Sequence, residues 1–162
     1  MPSSVRPIPD GHHSITPGLT CRDAARAIEF YKSVFGAIEL MRMPMADGKI
    51  GHAELKIGDS KIFVNDEFPG MAVAPSGSTP QSVSLFLYVE DVDATFDRAV
   101  QAGSKVNMPV TNQFWGDRNG HITDPFGHRW GLATHVEDVA PDELERRSKE
   151  WAAKMAKAAA QG

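Results

Sequence analysis

The sequence predicts an α+β fold: two copies of a βαβββ module in tandem, followed by a C-terminal helix. Two repeated blocks carry that prediction. Gly51-His52-Ala53-Glu54-Leu55-Lys56-Ile57-Gly58 and Gly120-His121-Ile122-Thr123-Asp124-Pro125-Phe126-Gly127 open on the same pair and close on Gly at the same spacing. Leu19-Thr20-Cys21-Arg22-Asp23-Ala24 reads like Leu87-Tyr88-Val89-Glu90-Asp91-Val92, and one inserted residue reconciles the two offsets. Ordered agreement over separated blocks is the mark of internal repetition.

Within the first copy, Ile15 to Cys21 alternates as a strand with one buried face. Asp23 is placed to cap a helix whose stripe is Ala24, Ala27, Ile28, Tyr31, Val34 and Phe35, ending at Gly36. Ile38 to Met45 is extended, Asp47-Gly48 turns it into Lys49 to Ile57, and Gly58-Asp59 turns that into Lys61 to Asn65. The second copy repeats the order. Val83 to Val89 alternates, Asp91 caps a helix carrying Val92, Phe96, Ala99 and Val100, and that helix ends at Gly103. Lys105 to Phe114 is extended, Asp117 to Gly120 reads as a turn, and the last hairpin bends at Asp124-Pro125-Phe126-Gly127, with Trp130 facing the helix. The expected organisation is a flexible arm (1–14), a first module (15–66), a Pro- and Gly-rich linker (67–81), a second module (82–138) and a C-terminal helix or tail (139–162). Met71 and Val73 suggest that the linker packs on something. In the tail, Pro141, Asp142 and Glu143 start a charged helix marked by Leu144, Trp151 and Met155.

A length of 162 residues suits one domain or two small modules. The formal net charge is −4 and the Lys and Arg residues are dispersed, which argues against a nucleic-acid partner. The single Cys21 has no internal disulfide partner, which fits a reducing compartment. No apolar run is long enough to span a bilayer, so a cytoplasmic protein without a membrane partner is expected.

Asp23-Ala24-Ala25-x-x-Ile28-x-Phe30-Tyr31-x-x-x-Phe35-Gly36, Trp115-Gly116-Asp117-Arg118 and Asp124-Pro125-Phe126-Gly127-His128-Arg129-Trp130, in this order, resemble the glyoxalase/bleomycin resistance/dioxygenase, or vicinal oxygen chelate (VOC), superfamily. The PhnB-like branch is the nearest likeness, over residues 14–140. The resemblance implies modules whose sheets curve around a cleft, commonly in a homodimer. It also implies, in metal-dependent members, a ligand on the first and last strand of each module. Those positions here are Thr16, Ser84, about Ile62 and Gly131, or Phe63 and Leu132 after a one-residue slip. None supplies an imidazole or carboxylate, so no metal ligand is assigned there and no cofactor is expected, with a divalent metal elsewhere left open.

Strand alternation sends His52, Glu54 and Lys56 to the face opposite Leu55 and Ile57, joined by His121, Thr123, Phe86 and Tyr88 from the second copy. His52, Glu54 and His121 are the catalytic candidates, suited to acid–base work or to a relocated metal site; the alternative is a structural role. Phe86, Tyr88, Phe114, Trp115, Asp117 and Arg118 are the ligand-binding candidates, the last two alternatively forming a salt-bridged turn. His128 and His135 sit near strand ends and are expected to face solvent or an interface. The function expected is a cleft that acts on or sequesters a small organic ligand. The alternative is a metal-dependent lyase or isomerase.

Overall fold

The structure, a computed structural model, describes residues 5–77 and 81–160. The first residues of the arm, Ser78, Thr79 and Pro80 of the linker and the last two residues of the tail lie outside that range. The chain divides into two compact units, 1–82 with 124–128 and 83–123 with 129–162.

In the first unit β1 (Gly18–Cys21), β2 (Ile38–Pro44), β3 (Ile50–Ile57) and β4 (Ser60–Asp66) form a sheet in the order β1-β4-β3-β2, covered by α1 (Ala24–Phe35). β1 runs parallel to β4 and the other neighbours are antiparallel. Asp23 caps α1 through the Arg26 N–H, and Gly36 ends it in the left-handed conformation at φ 68°. The whole predicted stripe is buried, and Phe30 with it. Leu19, Cys21, Ala53, Leu55, Ile57, Ile62 and Val64 meet that stripe from the strands. Burial, then the charges of Asp124 and Asp66, push the Cys21 thiol up to about 12, so it stays protonated at neutral pH.

The second unit repeats this order with β5 (Ser84–Tyr88), α2 (Val92–Gln101), β6 (Lys105–Asn112), β7 (Asp117–Thr123) and β8 (Arg129–His135), the sheet running β5-β8-β7-β6. Trp130 is buried as expected, while Val100, predicted to pack, is partly exposed. The predicted turn at Asp117 to Gly120 is a strand instead. The chain reverses one step earlier, where Gly116 takes φ 99° and donates to the Gln113 carbonyl. Gly120 has a different role: a Cβ there would lie 2.7 Å from the Phe96 ring. α3 (Pro141–Ala159) follows, with no buried residue, and is held by Arg147, which pairs with Glu137 and Glu143. Among the described linker residues Ala74 is buried, whereas Met71 and Val73, expected to pack, are exposed.

One polar side chain near the end of the last strand ties each unit's helix to its sheet. Asp66, at the end of β4, accepts the first helical N–H, Ala24, through Oδ1 at 2.9 Å and the Ile50 N–H through Oδ2 at 2.7 Å. At the matching place in the second unit, Thr134 Oγ1 accepts the Val92 N–H at 2.9 Å. Counting back from these two residues makes Phe63 the counterpart of Gly131. Glu54, paired with Phe63, is then the counterpart of His121, paired with Gly131. The two Gly-His pairs are therefore offset by two residues in the folded repeat. A shift of two preserves strand parity, so His52 and His121 still lie on equivalent faces.

Replacing Asp66 by Ala orphans two buried N–H groups and is expected to lower stability by about 3 kcal/mol in urea denaturation. Asp66→Asn is expected to recover part of that loss, because its single amide oxygen can accept at only one of the two sites.

Candidate functional site

Residues facing one another across a sheet share a face, so the strand register identifies what lies opposite the helices. In the first unit Met41, Glu54, Phe63 and Gly18 form one such row, and Met43 and His52 pair alongside. In the second unit Met108, His121, Gly131 and Phe86 form the corresponding row. Thr111, Asn119, Ala133 and Tyr88 form the next. The methionines and Phe63 were not among the sequence candidates, although alternation with buried Ile62 and Val64 marks Phe63 as open-faced.

On the first unit, His52 stacks edge-on against Phe63 at 4.8 Å, and its Nε2 lies 3.8 Å from Glu54 Oε1. That separation is longer than the hydrogen bond by which a carboxylate orients an imidazole. Lys61 Nζ is also 3.8 Å from Glu54, on Oε2. His12 joins this group from the arm, whose described residues form no helix or strand but do turn, the His12 N–H donating to the Pro9 carbonyl. Nothing in the arm's composition signals that contact.

On the second unit, the Phe86 ring lies over Gly131: a Cβ on Gly131 would stand 2.5 Å from Phe86 Cδ2 and 3.2 Å from His121 Cε1. Phe86 packs edge-on with Tyr88 at 5.3 Å and lies 6.3 Å from His121. Burial, then the charge of Arg129, hold His121 below the ordinary imidazole range, so its ring is neutral at neutral pH.

The Tyr88 hydroxyl donates to Asp117 Oδ2 at 2.9 Å, and Trp115 Nε1 donates to the same oxygen at 3.0 Å. His135 Nδ1 reaches Asp117 Oδ1 at 2.8 Å while its Nε2 reaches Asp138 at 2.9 Å. Burial alone would raise Asp117, but the bonds from His135, Tyr88 and Trp115 outweigh it and hold the carboxyl below its usual range. The bond to Asp117 raises the Tyr88 phenol. Arg118 pairs with Asp93 and Asn112, and so does not form a salt-bridged turn with Asp117. Phe114 packs between Trp115, at 5.0 Å, and Trp151 of α3, at 5.7 Å. His128 turns inward, its Nε2 donating to the Thr20 carbonyl at 3.0 Å. In the last hairpin Asp124 accepts the Phe126 and His128 N–H groups and the Tyr31 hydroxyl, which places 124–128 in the first unit.

A model of the Glyoxalase/Bleomycin resistance protein/Dioxygenase superfamily matches residues 12–132. The chain belongs to this superfamily. Rv0887c of Mycobacterium tuberculosis is 44% identical over 138 residues, covering 82% of this chain and 80% of its own. Among solved structures, TioX from Micromonospora sp. ML1 is 30% identical with a TM-score of 0.60, over 76% of this chain and 99% of its own. PA1353 from Pseudomonas aeruginosa, at 24% identity and a TM-score of 0.65 over 77% of this chain and 99% of its own, shares the fold.

The superfamily's metal positions do not fit a cation here. Register places Phe63, not Ile62, on the open face of β4; Ile62 is buried toward the helix. Its counterpart Gly131 has no side chain and lies under Phe86. Thr16 and Ser84 offer only hydroxyls. Among the described residues no three His, Cys, Asp or Glu side chains are grouped to hold a metal ion.

His135, bonded first to Asp117 and then to Asp138, has its pKa raised above the ordinary imidazole value. The stabilisation it gives is full below the unfolded pKa of about 6.5 and is lost as pH rises through the folded value. NMR titration is expected to place the His135 midpoint above that of a free imidazole, and Asp117→Asn to bring it down.

Proposed function

We propose that the chain binds a small, flat organic molecule on the open face of its second unit, with Phe86 and Tyr88 as the shelf and His121 as the polar contact. The carrying observation is the position of the Phe86 ring over Gly131. The side chain that would displace it is missing, and Phe86 and Tyr88 remain 48% and 59% exposed. Aromatic shelves of this kind favour stacking with a planar ligand. A neutral His121 supplies one donor or acceptor without a charge to neutralise. Asp117, Trp115 and His135 act on the site through Tyr88, whose hydroxyl they fix. Phe114 and Arg118 support the adjoining turn and strand rather than touching the ligand.

The reading favours sequestration over turnover, because Tyr88, Trp115, Asp117 and His135 bond to one another, which leaves the neutral His121 as the shelf's acid–base group with no hydroxyl or thiol nucleophile bonded to it among the described residues. The family resemblance adds a homodimer, and the sequence a cytoplasmic location. Among the described residues no helix is long and apolar enough to cross a membrane. The competing reading is a metal-dependent lyase or isomerase around His52, Glu54 and His121. Purified protein with about one equivalent of zinc, nickel or iron per chain would favour it.

In a thermal-shift screen of flat aromatic fragments, hits are expected to stabilise the protein by mass action. Phe86→Ala is expected to weaken each hit about tenfold or more, equivalent to about 1.4 kcal/mol. Gly131→Ala, which displaces the ring while keeping it, is expected to weaken binding as well. Hits unaffected by both substitutions would remove the shelf from the account.

A further inference from the structure

The first unit has an open face of its own, and part of the chain itself sits on it. Among residues 5–15 every side chain is exposed except His12. That single residue of a stretch without helix or strand inserts its ring, 16% exposed, against the sheet. The ring lies 6.2 Å from Phe63 at a 54° tilt. Lys61 Nζ lies 3.2 Å from His12 Nδ1. An ammonium only donates, so Nδ1 is the acceptor and Nε2 carries the ring's proton. Nε2 stands 3.8 Å from Glu54 Oε2, and His52 Nε2 stands 3.8 Å from Oε1. Glu54 is thus approached by three nitrogens, those of His12, His52 and Lys61, each held beyond hydrogen-bond reach at 3.8 Å.

The geometry points to a binding site for flat nitrogen heteroaromatics, which His12 occupies as a tethered stand-in. The ligand chemistry follows from the stand-in's contacts: a planar ring for Phe63 and His52, a ring acceptor for the Lys61 ammonium, and a ring N–H for Glu54. A free ligand, lacking a backbone tether, can close the gap to Glu54 that His12 leaves open. Little besides the ring holds the arm in place. Among the described residues its other contacts are the His12 N–H to the Pro9 carbonyl, an exposed Arg6–Asp10 pair and the passage of Gly11 over the Lys61 stem. A short flexible tether presents its side chain at an effective concentration of about millimolar, so His12 competes with a ligand rather than blocking it outright.

Benzimidazole carries the required acceptor and N–H on one flat ring. In calorimetric titration the His12→Ala protein is expected to bind it about tenfold more tightly than wild type, because the internal competitor is gone. On the His12→Ala background, Phe63→Ala and, separately, Lys61→Met are each expected to abolish that gain. Naphthalene-1-sulfonate, flat but without a ring nitrogen, is expected to show no gain from His12→Ala. In wild type, benzimidazole is expected to shift the His12 Cε1–H resonance as the ring is released. Equal benzimidazole affinity in wild type and His12→Ala would overturn the proposal. So would a gain that survives both Phe63→Ala and Lys61→Met in proteins whose circular dichroism matches wild type. Because the shelf around Phe86 is left unaltered, fragment binding there reports separately on the function proposed above.

Discussion

Each unit of this protein depends on a polar side chain at the end of its last strand satisfying the first amide of its helix. Asp66 does this for Ala24 and, in the same carboxylate, for Ile50 at the start of β3. Thr134 does it for Val92. Because a helix N-terminus leaves several N–H groups unpaired, a buried acceptor there fixes both the helix and the strand that supplies it. Once that strand is fixed, its pairing register assigns every side chain to one face or the other. The apolar set goes under the helix, and Met41, His52, Glu54 and Phe63, or Met108, His121 and Phe86, are left opposite.

The two units use this common frame differently. At one corresponding position β4 carries Phe63 and β8 carries Gly131; on the neighbouring strand β1 carries Gly18 and β5 carries Phe86. The aromatic ring has changed strands between the copies, with glycine at the vacated position each time. In the first unit Phe63 supports the His52 and His12 rings, whereas in the second Phe86 lies over Gly131 and is itself exposed. Of the positions that the family resemblance assigns to chelation, the two on the last strands coincide with Phe63 and Gly131, so the replacements that leave no ligand there also provide surfaces for stacking.

Most of the fold was legible because its signals are local. Asp23 and Asp91 cap helices, Gly36 and Gly127 take positive φ, and alternation marks the buried face of each strand. The turn before β7 lies at Gly116 and not at Asp117 to Gly120, because Gly120 admits the Phe96 ring, a contact distant in sequence. The site was legible in its facing but not in its grouping. Parity put His52, Glu54, His121, Phe86 and Tyr88 on open faces. It gave no sign that Trp115 and Asp117 bond to Tyr88, that Arg118 turns to Asp93, or that His12 of the arm reaches Phe63.

The central claim is that strand parity, set by the Asp66 and Thr134 contacts, turns a stacking surface away from the helices. Methionine methyl NMR reads that surface directly, since Met108 shares a row with Phe86 and His121 while Met71 and Met155 lie outside both sheets. Titration with flat aromatic fragments is expected to move the Met108 methyl by ring currents and to leave Met71 and Met155 in place. Movement confined to Met71 or Met155, with Met108 unchanged, would contradict the account.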